Sequence, residues 1–355
     1  MNGKNNLWVV KLNPSGGLLT GQKKLSKDEP KIYNEFSKTE RKEYRNKYGE
    51  IANFCKENGI IAIGWTLPPK DTWLPSKDGE LSSKNIDLKK YNELYKEQGW
   101  GQGAKTDIEN FEKIKIGDIC WVRDSRDIYY VCKITGNWVY DNKKEAWAMD
   151  IAQRYSCEWV EVGDATEAPA AIVKKLITRG NTVSRIDDKT LIDISNYLFE
   201  NGGENAVKKV VAEFNEGRYT AGNISIIDNL TQYEYEDFVG FYLQQKGYFI
   251  MPSTRYQSTE KYEFVAIKQN EKMVMQAKYY KEKSEKLDAN EYKSLSKTYT
   301  VYLACNNGIN NIDNDNNKIK QVENSELEKF IRENPFLIPD RVKFLVVYTR
   351  NHQKV

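Results

Sequence analysis

The sequence predicts a two-domain protein of mixed α and β structure, in which a small β-barrel with flanking helices precedes an α/β domain. Three observations support this. The chain has 355 residues, more than the roughly 100–200 residues of one domain. All eight tryptophans lie between Trp8 and Trp159, so the two halves differ in composition. From residue 226 onward, strand-like and helix-like segments alternate, as in an α/β domain. The predicted divisions are 1–186 for the barrel domain, 187–225 for a helical linker and 226–355 for the α/β domain.

Apolar periodicity predicts the elements of the first domain and the linker. In chain order they are a strand at 7–12, a helix at 35–57, a strand at 60–65, a hairpin of strands at 119–123 and 129–134, a strand at 157–162, and two helices within 187–214. Gly202 and Gly203 separate those two helices. Short strands with turns between them indicate a small, strongly bent β-barrel.

Three short motifs in this region together resemble those of a known group of domains. They are Ile63-Gly64-Trp65, the run 114–118 after Phe111, and Ile134-Thr135-Gly136 with the nearby Tyr140. Their order and spacing resemble the EVE-like group of PUA-related barrels, which is related to YTH domains and precedes modification-dependent restriction proteins. The resemblance covers roughly residues 7–186. It implies a PUA-like β-barrel that binds a modified base, flipped from DNA or taken from RNA, between aromatic rings.

Trp65, Trp73 and Trp100 are the candidate walls of such a base-binding pocket. Aromatic walls restore about 1–3 kcal/mol of stacking per flipped base. Trp73 and Trp100 lie in a Pro/Gly-rich insertion, where exposed rings are costly without a ligand or a packing partner. Core packing is the alternative for each, and it fits the remaining tryptophans of the barrel better: Trp121, Trp138, Trp147 and Trp159. Asp107 and Asp118 are candidate acceptors for a base edge, although Asp118 also suits a turn.

The second domain shows helix and strand patterns in alternation. The predicted elements are a helix at 233–243, a strand at 248–250, a hairpin of strands at 263–267 and 273–275, a helix at 279–297, a strand at 299–305 and a last strand at 342–348. This order is typical of an α/β domain large enough to bury its own core.

The hairpin brings an acidic residue beside an amide and a lysine. Residues two apart on a strand share a face, and the turn at 268–272 is short, so Glu263 is expected beside Gln276 and Lys278. Glu263 supplies the hard anionic oxygen that Mg²⁺ prefers, and Gln276 supplies an amide oxygen. Lys278 is suited to orient or deprotonate water and to stabilise a scissile phosphate. The alternative is an ordinary hairpin that carries an acid at one strand start and a lysine at the other strand end.

With Glu236 on the preceding helix, this hairpin resembles the PD-(D/E)xK nuclease superfamily, and within it the Mrr-like restriction endonucleases. The matching residues are Glu236, Glu263, Gln276 and Lys278. The resemblance implies a restriction-endonuclease-like α/β domain with a mixed central sheet. It also implies Mg²⁺, or Mn²⁺ in its place, held by Glu263, Gln276 and Glu236; an exposed helix position is the alternative for Glu236. The family usually has Asp where this chain has Glu263, which leaves Glu260 as a fallback ligand and a degenerate, non-cleaving domain as an alternative.

Composition excludes several classes of protein. No segment approaches the roughly 18 consecutive apolar residues of a membrane span, and the first residues lack a signal-peptide pattern, so we expect a cytoplasmic protein without membrane contact. His352 is the single histidine, which disfavours histidine-based catalysis. The cysteines are odd in number, scattered and mostly within apolar runs, so we expect reduced core residues. They are Cys55, Cys120, Cys132, Cys157 and Cys305.

The formal net charge of +3 is only mildly basic, but lysines concentrate around the proposed site. They are Lys268, Lys272, Lys278, Lys281, Lys283 and Lys286. A phosphate backbone would lie along such a cluster. The alternative is a solvated face in which the lysines alternate with Glu271, Glu282 and Glu285.

Together these patterns predict a modification-dependent, type IV-like endodeoxyribonuclease of restriction or antiphage defence. The first domain would read a modified base in DNA, and the second would hydrolyse phosphodiester bonds with Mg²⁺. Cutting both strands of a duplex requires two sites, so a homodimer is expected. Two alternatives remain: a non-catalytic reader of modified DNA or RNA, and an antiphage effector nuclease activated by a small nucleotide.

Overall fold

The structure is a computed structural model of mixed α and β type, with a curled half-barrel sheet. It describes residues 5–12, 51–67, 71, 73–75, 81–83, 85–97, 101–141, 143, 146, 149–216, 225–252, 262–269, 271–312 and 318–352. The chain divides into two compact units, Met1–Lys208 and Lys209–Val355. Within the described ranges, every helix is too short or too polar to cross a membrane.

The first unit contains a large sheet, a small hairpin and several helices, the last of which continues past Lys208 into the second unit. Its elements are β1 (Leu7–Val10), α1 (Ile51–Glu57), β2 (Ile60–Ile63), β3 (Trp73–Pro75), β4 (Leu81–Ser83), α2 (Leu88–Glu97), α3 (Gln102–Glu112), β5 (Ile119–Arg123), β6 (Tyr129–Ile134), β7 (Val139–Tyr140), β8 (Gln153–Gly163), α4 (Ala170–Ile177), β9 (Val183–Ile186), α5 (Lys189–Glu200) and α6 (Glu204–Asn215). Each predicted strand therefore lies on an observed strand. Of the helix predicted at 35–57, residues 35–50 lie outside the described part of the chain.

The large sheet has the strand order β2-β8-β6-β5-β1-β9, with β7 also paired to β8. β1 runs parallel to β5, and the other pairs are antiparallel. The long strand β8 pairs with β2 and β7 near its start and with β6 from Cys157 onward. It thus changes partners along its length.

The strands of this sheet form because their residues are apolar on both faces or alternate regularly. All four residues of β1 and the first four of β5 are buried, as expected for central strands covered on both sides. The five cysteines are buried with free thiols, which confirms the prediction of reduced core residues. Burial raises the pKa of the Cys55, Cys120 and Cys132 thiols, so these thiols stay uncharged.

Two helices, α5 and α6, occupy most of the predicted linker. Gly202 and Gly203 lie between them with φ of +78° and +52°, a backbone conformation that favours glycine. Ser195 of α5 accepts a 2.9 Å hydrogen bond from the indole nitrogen of Trp121 on β5. α5 therefore packs on the sheet of the first unit. The domain limits at 186/187 and 225/226 stay a prediction.

The second unit is a sheet with helices on it. Its elements are α7 (Gln232–Gln245), β10 (Phe249–Pro252), β11 (Phe264–Lys268), β12 (Glu271–Lys278), β13 (Leu287–Asp288), α8 (Lys293–Ser296), β14 (Thr300–Cys305), β15 (Ile309–Asn310), β16 (Ile319–Gln321), α9 (Asn324–Glu333) and α10 (Asp340–His352), with 3₁₀ turns at Ile227–Asn229, Ala289–Tyr292 and Pro335–Leu337. The main sheet has the order β10-β11-β12-β14-β16. β10, β11 and β12 are antiparallel, whereas β12, β14 and β16 are parallel. The sheet is therefore mixed.

Alternate residues of β12 lie in two different apolar cores. Met273, Met275 and Ala277 pack with α7, α9 and α10, whereas Val274 packs with Leu287, Ala289 and other residues that follow the hairpin. Gln276 and Lys278 share the parity of Val274. The polar residues of the hairpin therefore occupy the face of β12 opposite the α7 core.

The predicted last strand at 342–348 is wrong, because this segment lies in helix α10. The run is apolar at nearly every position, so it satisfies the period of a strand and that of a helix together. Val342 and Val346, one helical turn apart, both enter the core that contains α7. The backbone carbonyl of Pro339 accepts the amides of Val342 and Lys343, which starts the helix.

The predicted helix at 279–297 is also wrong over most of its length. Helical residues begin only at Ala289, where the Asp288 side chain accepts the backbone N–H of Asn290. Residues 281–286 form turns and are exposed. They are all polar, so a helix there would have no apolar stripe to bury.

Candidate functional site

The hairpin of β11 and β12 sets the geometry of the predicted metal and water site. Lys268 pairs with Glu271, so only two residues connect the strands, and Phe264 pairs with Met275 at the other end. Glu263, one residue before β11, donates its backbone N–H to the Met275 carbonyl at 2.8 Å. This register places Glu263 opposite Gln276.

The three predicted hairpin residues contact one another. Gln276 Nε2 donates to Glu263 Oε1 at 2.9 Å, and Lys278 Nζ lies 3.5 Å from the same oxygen. Gln276 is only 2% exposed, whereas the side chains of Glu263 and Lys278 are 25% and 35% exposed. The triad of Glu263, Gln276 and Lys278 therefore has a buried amide at its base and two opposite charges open to solvent.

The fourth predicted residue, Glu236, lies in the first turns of α7. A capping box starts this helix: Thr231 accepts the Glu234 backbone N–H, and Glu234 accepts that of Thr231. Arg341 of α10 pairs with the buried Glu234 carboxylate. The N-terminal turn is thus fixed from both sides, and with it the backbone that carries Glu236.

Glu236 is half-buried and coupled to the triad by charge. Burial raises the pKa of Glu236; a 2.8 Å hydrogen bond from Gln232 opposes this rise, the charge of Glu263 adds to it, and that of Lys278 reduces it. The structure gives no direct hydrogen bond between Glu236 and the triad, so its link to the site is electrostatic.

An asparagine network holds the carboxyl ends of β12 and β14 together, next to Lys278. Asn306 donates its backbone N–H to the Lys278 carbonyl, and its side chain bonds both backbone groups of Tyr280. Asn324 donates to the carbonyls of Cys305 and Asn306 and accepts the Tyr235 hydroxyl. Because Tyr235 precedes Glu236, α7 is anchored to the strand end that carries Lys278.

The oxygen atoms of Glu263 and Gln276 are ligands that suit Mg²⁺. Turning the Gln276 carboxamide by half a turn would replace Nε2 by Oε1, at the loss of its 3.1 Å contact with the Ala277 carbonyl. Gln276 Oε1 and Glu263 Oε1 would then lie about as far apart as Gln276 Nε2 and Glu263 Oε1 do now, which is 2.9 Å. That is about the edge of an octahedron with metal–oxygen bonds of about 2.0–2.1 Å. Among the described residues no group of three or more His, Cys, Asp or Glu could hold a metal ion. Glu260 lies outside the described residues.

Sequence reasoning missed Tyr292, which borders this site. It lies in the 3₁₀ turn after the hairpin and is buried. Burial raises the pKa of Tyr292 to about 12, with further contributions from Glu291, Tyr280 and Glu263. Its hydroxyl is therefore a neutral neighbour of Glu263. No motif marks it, because the turn that brings it there was expected to be part of a long helix.

Of the six lysines predicted to surround the site, Lys278 belongs to the triad and the other five separate into two groups. Lys268 and Lys272 lie at the turn of the hairpin, where they face the rings of Tyr248 and Tyr299. Lys281, Lys283 and Lys286 are exposed in the turns that follow Lys278. Lys272 and Lys278 are six positions apart along β12, which is on the order of 20 Å. Only the second group adjoins the triad.

The predicted base-binding tryptophans of the first unit have different surroundings. Trp65 is half-buried, has a left-handed φ of +61°, and accepts the Tyr91 hydroxyl on its backbone carbonyl. A bulky residue at positive φ is a strained conformation of the kind that clusters at functional sites. Trp73 begins β3, opposite Ser83 of β4, and its side chain lies outside what the structure describes, as does all of Trp100. Their role in binding a base stays a prediction.

Other polar and aromatic candidates of the first unit have structural partners. Asp118 accepts hydrogen bonds from the Trp8 indole, the Asn6 amides and the Lys115 backbone. Asp107 accepts the Val183 backbone N–H at 3.0 Å. Both carboxylates therefore hold the fold together, which supports the turn role of Asp118 over contact with a base.

Comparison with known proteins gives one match. Residues 41–187 match a family model described as a domain of unknown function (DUF8426). This range lies within the first unit and covers less than half of the chain. No curated protein matches the chain, and no solved structure does.

Proposed function

We propose that this protein is a modification-dependent DNA endonuclease, in which the second unit hydrolyses phosphodiester bonds. The observation that carries the proposal is that Gln276 and Lys278 both contact the same carboxylate oxygen of Glu263. The half-buried Glu236 lies within electrostatic range of Glu263 and Lys278. The order of elements adds support. A helix, three antiparallel strands and a fourth strand parallel to the third are what the resemblance to PD-(D/E)xK nucleases implies.

Each residue of the site would have a separate chemical role. Glu263, the Gln276 amide oxygen and Glu236 would hold Mg²⁺, which when bound supplies positive charge to the developing phosphorane and the leaving oxygen. Lys278 Nζ, already 3.5 Å from Glu263 Oε1, would orient the attacking water by donating to it and would neutralise a non-bridging phosphate oxygen. Lys281, Lys283 and Lys286 would bind flanking phosphates of the substrate.

The first unit would supply the recognition of a modified base. Its curled sheet supports a PUA-like reader, as does the order along the chain of the motifs around Trp65, Phe111 and Tyr140. Reading by one unit and cutting by the other would confine hydrolysis to modified DNA. Cleavage of both strands would need two copies of the second unit, so the active species would be a homodimer.

The test is cleavage of matched duplexes with and without modified cytosines, in Mg²⁺, by the wild-type protein and by Lys278→Ala. We expect cutting of the modified duplex only and at least about a hundredfold loss in the variant, since Lys278 positions water and charge together. Lys272→Ala, which removes a lysine from the far end of the same strand, is the matched control and should cut normally. Binding of modified DNA without any cutting by the wild-type protein would refute hydrolysis and favour a non-catalytic reader.

A further inference from the structure

A surface cavity of about 710 Å³ lies on the first unit. Its walls come from four separate parts of the chain: the start of α2, the end of α3 with the turn after it, β7, and β8. The side chains that matter are Glu112, Ile114, Trp138, Tyr140 and Tyr155. The volume suits a ligand the size of a nucleoside.

Unpaired polar atoms concentrate around this cavity. Among the described residues, three buried side-chain atoms lack a hydrogen-bond partner: Glu112 Oε1, Trp138 Nε1 and Gln153 Oε1. Glu112 and Trp138 line the cavity, and Gln153 pairs across the sheet with Tyr140, which also lines it. A buried polar group without a hydrogen-bond partner destabilises the folded state. Two of the three atoms belong to residues that line the cavity, and each such exception calls for an explanation, for which a ligand is one.

The aromatic rings beside the cavity are held in fixed positions. Ring centroids lie 5.7 Å apart for Tyr91 and Trp138, 5.4 Å for Tyr91 and Tyr140, and 6.4 Å for Trp138 and Tyr140. The Tyr140 hydroxyl accepts the Leu67 backbone N–H at 2.8 Å, and the Tyr155 hydroxyl donates to the Phe111 carbonyl at 3.1 Å. A wall that is already ordered loses little side-chain entropy when a ring stacks on it.

We propose that this cavity binds a nucleobase, which presents an N–H group to Glu112 Oε1 and a lone pair to Trp138 Nε1. A nucleobase edge combines a donor and an acceptor on one rigid plane, which matches one unpaired acceptor and one unpaired donor beside aromatic rings. The ligand class extends the reading role proposed above, but it moves the recognition residues from Trp73 and Trp100 to Glu112 and Trp138.

The electrostatics of Glu112 agree with a missing donor. Burial raises the pKa of Glu112, the charge of Glu109 adds to this rise, and a hydrogen bond from Asn92 and the charges of Lys96 and Lys113 oppose it. A ligand N–H that reaches Oε1 would stabilise the ionised form. Burial raises the pKa of Tyr155 and of Tyr95, and the charge of Glu112 adds to both rises.

The base can come from two sources, a base extruded from a duplex or a free nucleotide, and one binding experiment separates them. The full-length protein is titrated in EDTA, which removes Mg²⁺ and stops cleavage, with labelled duplexes carrying modified or unmodified cytosine and with free nucleoside monophosphates and a cyclic dinucleotide. Binding of the modified duplex alone assigns the cavity to extruded bases. Binding of a free nucleotide alone assigns it to a soluble signal.

Trp138→Phe removes the indole N–H together with part of the ring, and Glu112→Gln removes the negative charge and replaces one carboxylate oxygen by an NH₂ group. We expect each to weaken binding about tenfold, equivalent to about 1.4 kcal/mol. The matched controls are Trp159→Phe, whose indole donates to the Ile60 carbonyl away from the cavity, and Glu93→Gln, whose exposed carboxylate pairs with Lys90 one turn earlier on α2. They should bind within about twofold of the wild type.

Stability measurements separate a lost ligand contact from a damaged fold. Both replacements lose ring packing, but Trp159→Phe also loses a hydrogen bond to the Ile60 carbonyl, whereas the indole nitrogen of Trp138 has no partner to lose. Trp159→Phe should therefore unfold at a lower urea concentration than Trp138→Phe. Equal binding by wild type, Trp138→Phe and Glu112→Gln would overturn the proposal, as would failure to bind any of the probes. Equal binding by the three proteins would leave the proposed nuclease intact, whereas failure to bind any probe would also remove the proposed reading of modified DNA. A protein that binds but never cuts would refute only the nuclease.

Discussion

Glu236 illustrates how a single carboxylate can be prepared for a ligand at a cost to the fold. Its environment raises its pKa above the ordinary 4.5, mainly through burial, and the charge of Glu263 contributes. The native state therefore holds a proton on Glu236 more tightly than the unfolded chain does. It follows that the contribution of this residue to stability falls as the pH rises from about 4.5 through the raised pKa.

We accordingly expect Glu236→Gln to stabilise the protein at pH 7, to do so less near pH 4, and to reduce Mg²⁺-dependent cleavage. Urea unfolding followed by circular dichroism at the two pH values measures the first effect, and the duplex assay measures the second. Glu333→Gln, on an exposed turn of α9 and paired with Lys329, is the control and should show neither. A stability difference that is the same at both pH values would contradict the burial argument.

At the scale of elements, the capping box of α7 decides where the helix begins and so where Glu236 lies. Removing the cap in Thr231→Ala should cost about 1 kcal/mol of stability and should lower cleavage, because the first turn would fray. Thr231→Ser keeps the hydroxyl and should retain both properties. The measurements are the urea midpoint and the initial cleavage rate. If Thr231→Ala cuts at the wild-type rate, the position of the helix start does not control the site.

The elements also show what local sequence can and cannot predict. The β11–β12 hairpin was predictable because alternation and a short turn leave a single register that buries Met273 and Met275, and this register brings Glu263 to Gln276. α10 was not, since apolar residues at nearly every position from Val342 to Val347 fit two periods. This segment is a helix because Val342 and Val346 pack in the core that contains α7. That packing depends on residues far away in the sequence, so the local pattern could not predict it.

The cavity of the first unit could not be predicted for a related reason. Glu112, Trp138 and Tyr155 come from a helix, the segment before β7 and strand β8, which are adjacent only after folding. In the sequence, Trp138 resembled any hairpin tryptophan. Its distinguishing property is the absence of a partner for its indole nitrogen, whereas the indole of Trp121 donates to Ser195.

At the scale of the whole molecule, a net charge of +3 is too small to attract DNA without local concentration of charge. If Lys281, Lys283 and Lys286 each contact a phosphate, the slope of log affinity against log salt should fall by about 0.9 for every contact removed. Replacing all three by glutamine should therefore reduce the slope by almost 3, as measured by fluorescence anisotropy at several salt concentrations.

The matched control neutralises three exposed lysines elsewhere in the second unit, Lys318, Lys320 and Lys329. That variant carries the same change in net charge, so a general electrostatic effect would alter both slopes alike. Equal slopes for the two triple variants would show that the turns after Lys278 do not lie against the phosphate backbone.

The pairing of Glu234 with Arg341 has a consequence for the order of events during synthesis. The two partners are 107 residues apart, and the carboxylate is buried, so the start of α7 lacks its counter-charge until α10 has emerged from the ribosome. Domains generally fold as units while the chain is being made. A nascent chain can thus complete its first unit while the start of α7, Glu236 and the triad are still unassembled, so the proposed base-reading unit would mature before the proposed nuclease.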